Sequence, residues 1–593
     1  MSIYASRIKA LQTSMKKEKI SAFVVLSSDI HFNEYLPACA KQRAFLSGFT
    51  GSAGTLVVLE NEALLFADGR YHLQALKELE GSGIRLEKLS PTNSYISYLS
   101  KHLKQSCVAV DSKSLSVSAC KEFKKSLKAQ KNKLIFKDLS EPLFVPKPPL
   151  PRKEIYEQKK AFISASRSEK LAQIRAKMKE LNASYHLISS LDDIAYITNL
   201  RGKDIECNPV FLSFLCIGKK EAVLFASLKS LDMKLKAKLL KEGFELKEYE
   251  ELINTIKTLP KSHILIDPLK TSVFIARALK KQGLKLVKAP NPSTLLKACK
   301  NDKEIQNIKN AMISDGVALC EFFAWLEKAL KQKQELSELD INDQITAFRA
   351  KNPLFISNSF SVIAGFNENG ALPHYRATKE SFSKIKGNGL LLIDSGAQYE
   401  NGTTDITRVV PIHQISREQK KDYTLVLKAL IAMSRAVFPK NIALPLLDSI
   451  ARLNLWQNHL DYMHGTGHGV GYFLNVHEGP AVLSVHTPLN AHNIALKGVF
   501  HSIEPGIYKA NKHGVRLENL VAIKEEHKNE FGEFMSYETL TLCPFEKTCI
   551  ELKMLDESEQ KWLNDYHKLV FKKLSVKLKG EALAWLKRKT KAL

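Results

Sequence analysis

Residues 389–412 read GLLLIDSGAQYENGTTDITRVVPI. Two apolar, β-branched runs flank a loop containing Gly396 and Gly402, the pattern of an antiparallel hairpin. This predicts that Asp394 and Asp405 lie on adjacent strands. Asp394, before Ser-Gly, also has an ordinary turn-forming reading. Asp405 alternates with its neighbours so that it faces inward, and a carboxylate facing a buried surface needs a compensating charge, which a cation supplies.

Three more segments extend the pattern. HGTGHGVG (464–471) sets His468 among four glycines, SIEPGIY (502–508) carries Glu504, and VRLENLVAI (515–523) puts Glu518 in an apolar strand. Asp394, Asp405, His468, Glu504 and Glu518 together make an oxygen-rich ligand set with one imidazole. Such a set suits Mn²⁺, Co²⁺, Fe²⁺ or Zn²⁺ rather than thiolate-loving ions. Two such ions activate one bridging water, so a hydrolase is the first expectation. His374 in ALPHYRA (371–377), His464, and His477 in NVHEGP (475–480) are the histidines suited to stabilising an oxyanion or protonating a leaving amine. His486, His492, His501 and His513 read as ordinary surface or core residues.

Working outward, 593 residues suggest three or four domains. Composition, at 44% hydrophobic and 25% charged, is that of a soluble globular protein. No apolar run is long enough to span a bilayer. The N-terminal stretch reads as an amphipathic helix rather than a leader, which argues against export and for a cytoplasmic protein. The nine cysteines form no CxxC pair, which fits free thiols in a reducing compartment and argues against a thiolate metal site. The formal charge of +26 comes mostly from dispersed lysines, with runs near Lys121–Lys133 and Lys229–Lys241 that read as polar helix faces. No nucleic-acid or membrane partner is expected from it.

Residues 1–145 alternate helix and strand signals, with a hairpin turning at Glu60–Glu62. The proline-dense EPLFVPKPPLPRKE (141–154) reads as an extended linker. Residues 152–300 repeat the same style without a clear sequence repeat. From Asp302 a long helix signal opens residues 301–593, which carry every metal candidate and end in a basic helical tail.

At this point the chain resembles the "pita-bread" metallopeptidases of family M24. HGTGHGVG, FLNVHEGP, EPGIY and DSGAQYENGTTDITR carry the likeness, and within the family it is to the long, three-domain Xaa-Pro aminopeptidases (aminopeptidase P). RAFLSGFTGSAGTLVV and FADGRYHLQA are similar to that family's first domain, DDIAYITNLRGKDIECNPVFLSF to its second, VALCEFFAWLEKAL to the helix entering its third, and MLDESEQKWLNDYHK with EALAWLKRKT to its C-terminal extension. The resemblance implies an α/β protein: two creatinase-N-like domains (1–145 and 152–300), then a pita-bread catalytic domain with its C-terminal extension (301–593). It implies two divalent ions, Mn²⁺ first with Co²⁺ or Zn²⁺ possible. Asp394 would chelate one, His468 and Glu504 the other, and Asp405 and Glu518 would bridge both. A water or hydroxide between the ions would attack the bond between an N-terminal residue and a following proline, with Glu504 as general base. His374 and His477 would stabilise the intermediate or donate protons, His464 would shape the substrate pocket, and Arg70 would contact substrate. Arg516 would support the metal-binding strand. A homodimer is implied as well. Generic aminopeptidase geometry fails at such bonds, because a proline nitrogen carries no hydrogen and its ring fixes φ. Prolidase, which cuts only dipeptides, and a catalytically inactive pita-bread binding module are the alternatives. GVFHSIEPG departs from the family at His501 and Ser502, and VLSVHTPLNAHNIAL is locally divergent. Both bear on fine substrate preference.

Overall fold

The computed structural model describes residues 2–90 and 92–593. The chain forms two compact units. One holds the residues up to Gln158 together with Ala165–Thr294, and the other holds Lys159–Ser164 and Leu295–Leu593.

The first unit contains two six-stranded sheets. In one, β1 (Ala22–Leu26), β2 (Thr55–Leu59), β3 (Ala63–Ala67), β4 (Ile84–Lys88), β5 (Cys107–Val110) and β6 (Lys133–Phe136) run in the order β4-β3-β2-β1-β5-β6. The hairpin β2–β3 turns at Glu60–Glu62, with Val58 opposite Ala63. Successive residues of β1 enter different cores: Phe23 and Val25 pack with Leu11 and Met15 of the N-terminal helix Ile3–Lys17, while Ala22 and Val24 pack with Phe123 and Leu127. A period of two in an all-apolar strand is what a sheet covered on both faces requires.

The other sheet comprises β7 (Tyr185–Ile188), β8 (Ser213–Ile217), β9 (Ala222–Ala226), β10 (Phe244–Lys247), β11 (His263–Ile266) and β12 (Lys285–Lys288), in the order β10-β9-β8-β7-β11-β12. Its sequence of parallel and antiparallel pairings is that of the first sheet, strand for strand. The two stretches share a topology although no repeat is visible in their residues.

The second unit opens with α1 (Asp302–Lys331), whose N-terminus is closed by a reciprocal capping box between Asn301 and Glu304. Next come α2 (Glu338–Ala350), β13 (Ile363–Phe366), β14 (Gly389–Ser395), β15 (Ala397–Tyr399), β16 (Gly402–Thr403) and β17 (Ile406–Ile412). Strands β13, β14 and β17 form one antiparallel sheet, in which Asp394 lies opposite Ile363 on one side and Thr407 on the other. After α3 (Arg417–Ser434) and α4 (Leu444–Trp456) come β18 (Gly467–His468), β19 (Phe500–Ile503), β20 (Gly506–Lys509), β21 (His513–Arg516), β22 (Asn519–Asn529) and β23 (Gly532–Thr539). Strands β19, β22 and β23 share a second antiparallel sheet. The basic tail is helical over α5 (Glu557–Leu574) and α6 (Gly580–Lys589), and the Trp585 ring stacks on Phe323 of α1 at 5.8 Å.

Two expectations need correction here. Asp405 lies one residue before β17, and Glu518 lies in the break between β21 and β22 rather than inside a strand. Both carboxylates sit where the chain leaves one ladder for another. At Glu518 the chain passes from the β20–β21 hairpin to the β22 sheet, a change of partner that residue alternation does not encode. The hairpin expectation holds for β14 and β17, with the small β15–β16 hairpin at its tip.

Candidate metal centre

The close approach of several chain segments builds the site. The backbone at Gly467 lies so near β19 that a Cβ there would stand 1.9 Å from the Ser502 carbonyl oxygen, and a Cβ on Gly396 would stand 2.0 Å from that of Thr404. Only glycine permits either contact. The first brings His468 onto β19: the Ser502 hydroxyl accepts the His468 N–H at 3.0 Å and donates to Glu504 Oε1 at 3.2 Å, while the Glu504 N–H donates to the Thr466 carbonyl at 2.7 Å. A seam between the two sheets brings in Glu518. Its N–H donates to the Thr407 carbonyl at 3.1 Å, and the Thr407 hydroxyl donates to Glu518 Oε2 at 2.9 Å.

Ligand-type atoms of Asp405, His468 and Glu518 all lie within 4.8 Å of one another. His468 Nε2 is 3.6 Å from Asp405 Oδ2 and 3.4 Å from Glu504 Oε1. Asp394 adjoins the cluster through Arg516, whose Nη2 donates to Asp394 Oδ2 at 2.6 Å. The structure therefore brings all five sequence-derived ligand candidates into one site.

The electrostatics of the cluster call for positive charge. Burial first, and then the neighbouring Asp394 and Glu504, hold the Asp405 carboxyl well above the usual carboxylate range. Burial likewise raises Glu518, reinforced by Asp405, Glu504 and Asp394. Burial pushes Glu504 up to about 7; Arg516 and His477 pull it down and Asp394 pushes it up. Asp394 Oδ1 and Glu518 Oε1 are buried without a hydrogen-bond partner among the described residues. His468 Nδ1 lies 3.0 Å from the Gly469 carbonyl oxygen, which only accepts, so the neutral ring carries its proton on Nδ1 and turns the Nε2 lone pair toward two carboxylates. That orientation fits a metal ligand anchored through its other nitrogen. These donors fit divalent cations.

Around them stands a polar frame. Arg516, 3% exposed, also donates to the Tyr508 hydroxyl at 2.7 Å, to Thr407 Oγ1 at 3.2 Å and to the Pro373 carbonyl at 3.3 Å. Tyr508 lies 2.8 Å from His464 Nε2, and His464 Nδ1 lies 2.8 Å from the Gly465 carbonyl oxygen. A carbonyl only accepts, so neutral His464 is protonated on Nδ1 and takes the Tyr508 hydrogen on Nε2. The His464 loop is gripped from α4: Arg452 bonds Asp448 at 2.8 Å, the Tyr462 carbonyl at 2.8 Å and the His464 carbonyl, while Asp448 accepts from Thr466. His477 stands edge-on to His468, with ring centroids 4.3 Å apart. Its neighbour Glu478 is buried against Lys300. His374 follows Pro373 and is thus one residue from a contact with Arg516. Arg70 belongs to the first unit, where it makes a two-pronged bond with Asp68 at 2.8 Å for each prong.

Sequence reasoning missed several of these groups. Tyr508 lay within the EPGIY motif without an assigned role, Ser502 stood out only as a departure from the family pattern, and nothing local marks Asp448, Arg452 or Thr407. His501 is a core histidine: buried, bonded to the Ser502 carbonyl at 2.8 Å, and lowered by burial to about 4.

Comparison with known proteins agrees along the whole chain. The creatinase/prolidase N-terminal domain family matches residues 7–143, and a second family of the same description matches 146–304. Metallopeptidase family M24 matches 306–525, and the C-terminal region of peptidase M24 matches 533–593. A probable Xaa-Pro aminopeptidase P from Coprinopsis cinerea is 36% identical over 99% of this chain and 98% of its own. Xaa-Pro aminopeptidase 1 from Dictyostelium discoideum is 34% identical over 99% and 96%. The crystal structure of X-prolyl aminopeptidase from Caenorhabditis elegans, described as a cytosolic enzyme with a di-nuclear active site, matches with a TM-score of 0.94 and 30% identity over 100% of both chains. Creatinase-type N-terminal domains followed by an M24 catalytic domain, and relatives matched from end to end, lead to one assignment: the chain belongs to the Xaa-Pro aminopeptidase P family of M24 metallopeptidases.

Proposed function

We propose that this protein removes the N-terminal residue from peptides whose second residue is proline, using two divalent ions held by Asp394, Asp405, His468, Glu504 and Glu518. One observation carries the reading: a largely buried group of four mutually repelling carboxylates and one imidazole lone pair, set in a chain homologous throughout to Xaa-Pro aminopeptidases. When bound, the two ions supply a nucleophile at neutral pH and a Lewis acid for the scissile carbonyl. Mn²⁺ is the proposed metal, in keeping with the predominance of carboxylate oxygens.

The chain's own groups take the remaining roles. Glu504, whose Oε1 accepts from the Ser502 hydroxyl and lies 3.4 Å from His468 Nε2, is the carboxylate assigned as general base. His477, beside His468 and Glu504, and His374 stabilise the oxyanion or protonate the leaving amine. Both His464 nitrogens are engaged, so the imidazole face shapes the pocket wall. Arg70 is proposed as a substrate contact on the strength of its DGRY motif. We place the enzyme in the cytoplasm, a reading supported by nine free thiols and by the description of the C. elegans relative. Among the described residues no helix is long and apolar enough to cross a membrane.

The test is cleavage of Xaa-Pro dipeptides against longer Xaa-Pro-Yaa peptides by Mn²⁺-loaded protein. Cleavage of the longer peptides at the Xaa-Pro bond is expected; cleavage confined to dipeptides would identify a prolidase instead.

A homodimer is part of the proposal. Leu446, Leu453 and Trp456 of α4 are exposed, and their spacing sets them along one helix face, with exposed Met463 on the loop that α4 grips. The dimer itself is inferred from the family resemblance, and this apolar row is the face proposed to cover itself across a two-fold axis. Leu453→Asp with Trp456→Asp is expected to halve the sedimenting mass at micromolar concentration. An unchanged mass would remove this face from the interface.

A further inference from the structure

We propose that Glu338 and Tyr375 are positioning residues for His374, fixing the backbone on which that histidine is presented to the metal centre. The inference rests on the role given to His374 above.

Glu338 opens α2 and is fully buried, yet among the described residues no lysine or arginine pairs with it. Hydrogen bonds satisfy its carboxylate instead, and every one comes from the segment that carries His374. Oε1 accepts the Phe366 N–H at 2.8 Å and the Asn369 amide at 2.9 Å. Oε2 accepts the Tyr375 hydroxyl at 2.7 Å and the Ser383 N–H at 2.7 Å. Asn369 also reaches the Tyr375 oxygen at 3.1 Å and Ser383 Oγ at 2.9 Å, which ties the donors to one another. Burial, and then the bond to Glu338, hold the Tyr375 phenol far above its ordinary range, so it remains a donor. A buried carboxylate without a cation is costly unless its oxygens are saturated, and here a single loop saturates them. Its contribution is to the shape of that loop.

The loop is held on both flanks of His374. Tyr375, the next residue, is fastened to Glu338, and Pro373, the preceding one, gives its carbonyl to Arg516, which in turn bonds Asp394. A histidine one residue from each anchor has its Cα held between Glu338 and Arg516, the arginine that bonds Asp394. Displacements of about 1 Å cost catalysis heavily, so the anchor belongs to the catalytic apparatus although it touches no substrate.

A double-mutant cycle on the Mn²⁺-loaded enzyme tests this, with kcat and KM measured on an Xaa-Pro-Yaa peptide. Tyr375→Phe is expected to lower kcat about tenfold with KM changed less than about twofold, at undiminished metal content. In a His374→Ala background the same change should lower kcat no further, because the group it positions is gone. An equal loss in both backgrounds, or no loss in the parent, would overturn the proposal and leave Tyr375 a loop-stability residue. Should Tyr375→Phe melt early or lose metal, Asn369→Ala is carried through the same cycle with the same criteria. A His374→Ala enzyme that keeps near-normal kcat would instead refute the role given to His374, whatever Tyr375 does.

Discussion

Asp405→Ala and Glu518→Ala are each expected to lower kcat/KM by at least about a thousandfold, some 4 kcal/mol of transition-state stabilisation. Each variant removes a carboxylate from the middle of the cluster, where Asp405, His468 and Glu518 offer ligand atoms within 4.8 Å of one another. If, as proposed, each of these carboxylates is shared by both cations, its loss impairs both positions, so the bound metal per chain should fall along with turnover. Fold need not suffer: each deletion takes away a buried carboxylate whose charged form its neighbours disfavour. The checks are metal analysis of dialysed protein, circular dichroism, and initial rates on an Xaa-Pro-Yaa peptide. Either variant retaining near-normal turnover and two metals would show the ligand assignment to be wrong.

Chelation is expected to abolish turnover, with recovery on adding Mn²⁺, and to leave a pH signature in stability. In the metal-stripped chain Glu504 titrates near 7 against an ordinary 4.5, chiefly because it is buried. Between those values the folded chain binds more protons than the unfolded one, so stability is greatest below about 4.5 and falls as pH rises through about 7. Asp405 and Glu518 are displaced in the same direction. Cations compete with these protons, so the loaded enzyme escapes the penalty and its free-energy advantage over the stripped enzyme should widen by a few kcal/mol from pH 5 to pH 7, read as a growing gap in Tm. Differential scanning calorimetry of both forms across that window checks it. An advantage that is constant with pH would mean that these carboxylates do not share the cations.

What could be read from residues alone divides along a physical line. Features written within a few residues were legible: the β14–β17 hairpin from its alternation and glycines, the Glu60–Glu62 turn, the long helix from Asp302. The candidate ligand residues are each singled out by a short, distinctive motif, and the structure gathers them together. Features that depend on partners far along the chain were not legible. Glu338 looks like any helix-opening acid until Ser383, 45 residues away, is seen to bond it. Alternation also misplaced Asp405 and Glu518 within strands, since it records which face a residue occupies but not where a strand changes partners. The common fold of the two N-terminal segments came through the resemblance of both to creatinase-type domains and not through a visible repeat, because covered sheets ask only for apolar residues, which many unrelated strings supply.

The seam between Thr407 and Glu518 also bears on the order in which the molecule folds. It joins residues 111 positions apart, a loop whose closure entropy has to be met before the contact repays it. Asp394 and Asp405 stand in one local hairpin, whereas Glu518 lies beyond the intervening helices and β19 in the chain. A chain still emerging during synthesis therefore holds an incomplete set of carboxylates and has no hydrolytic centre. Peptidase activity is withheld until the catalytic unit has closed.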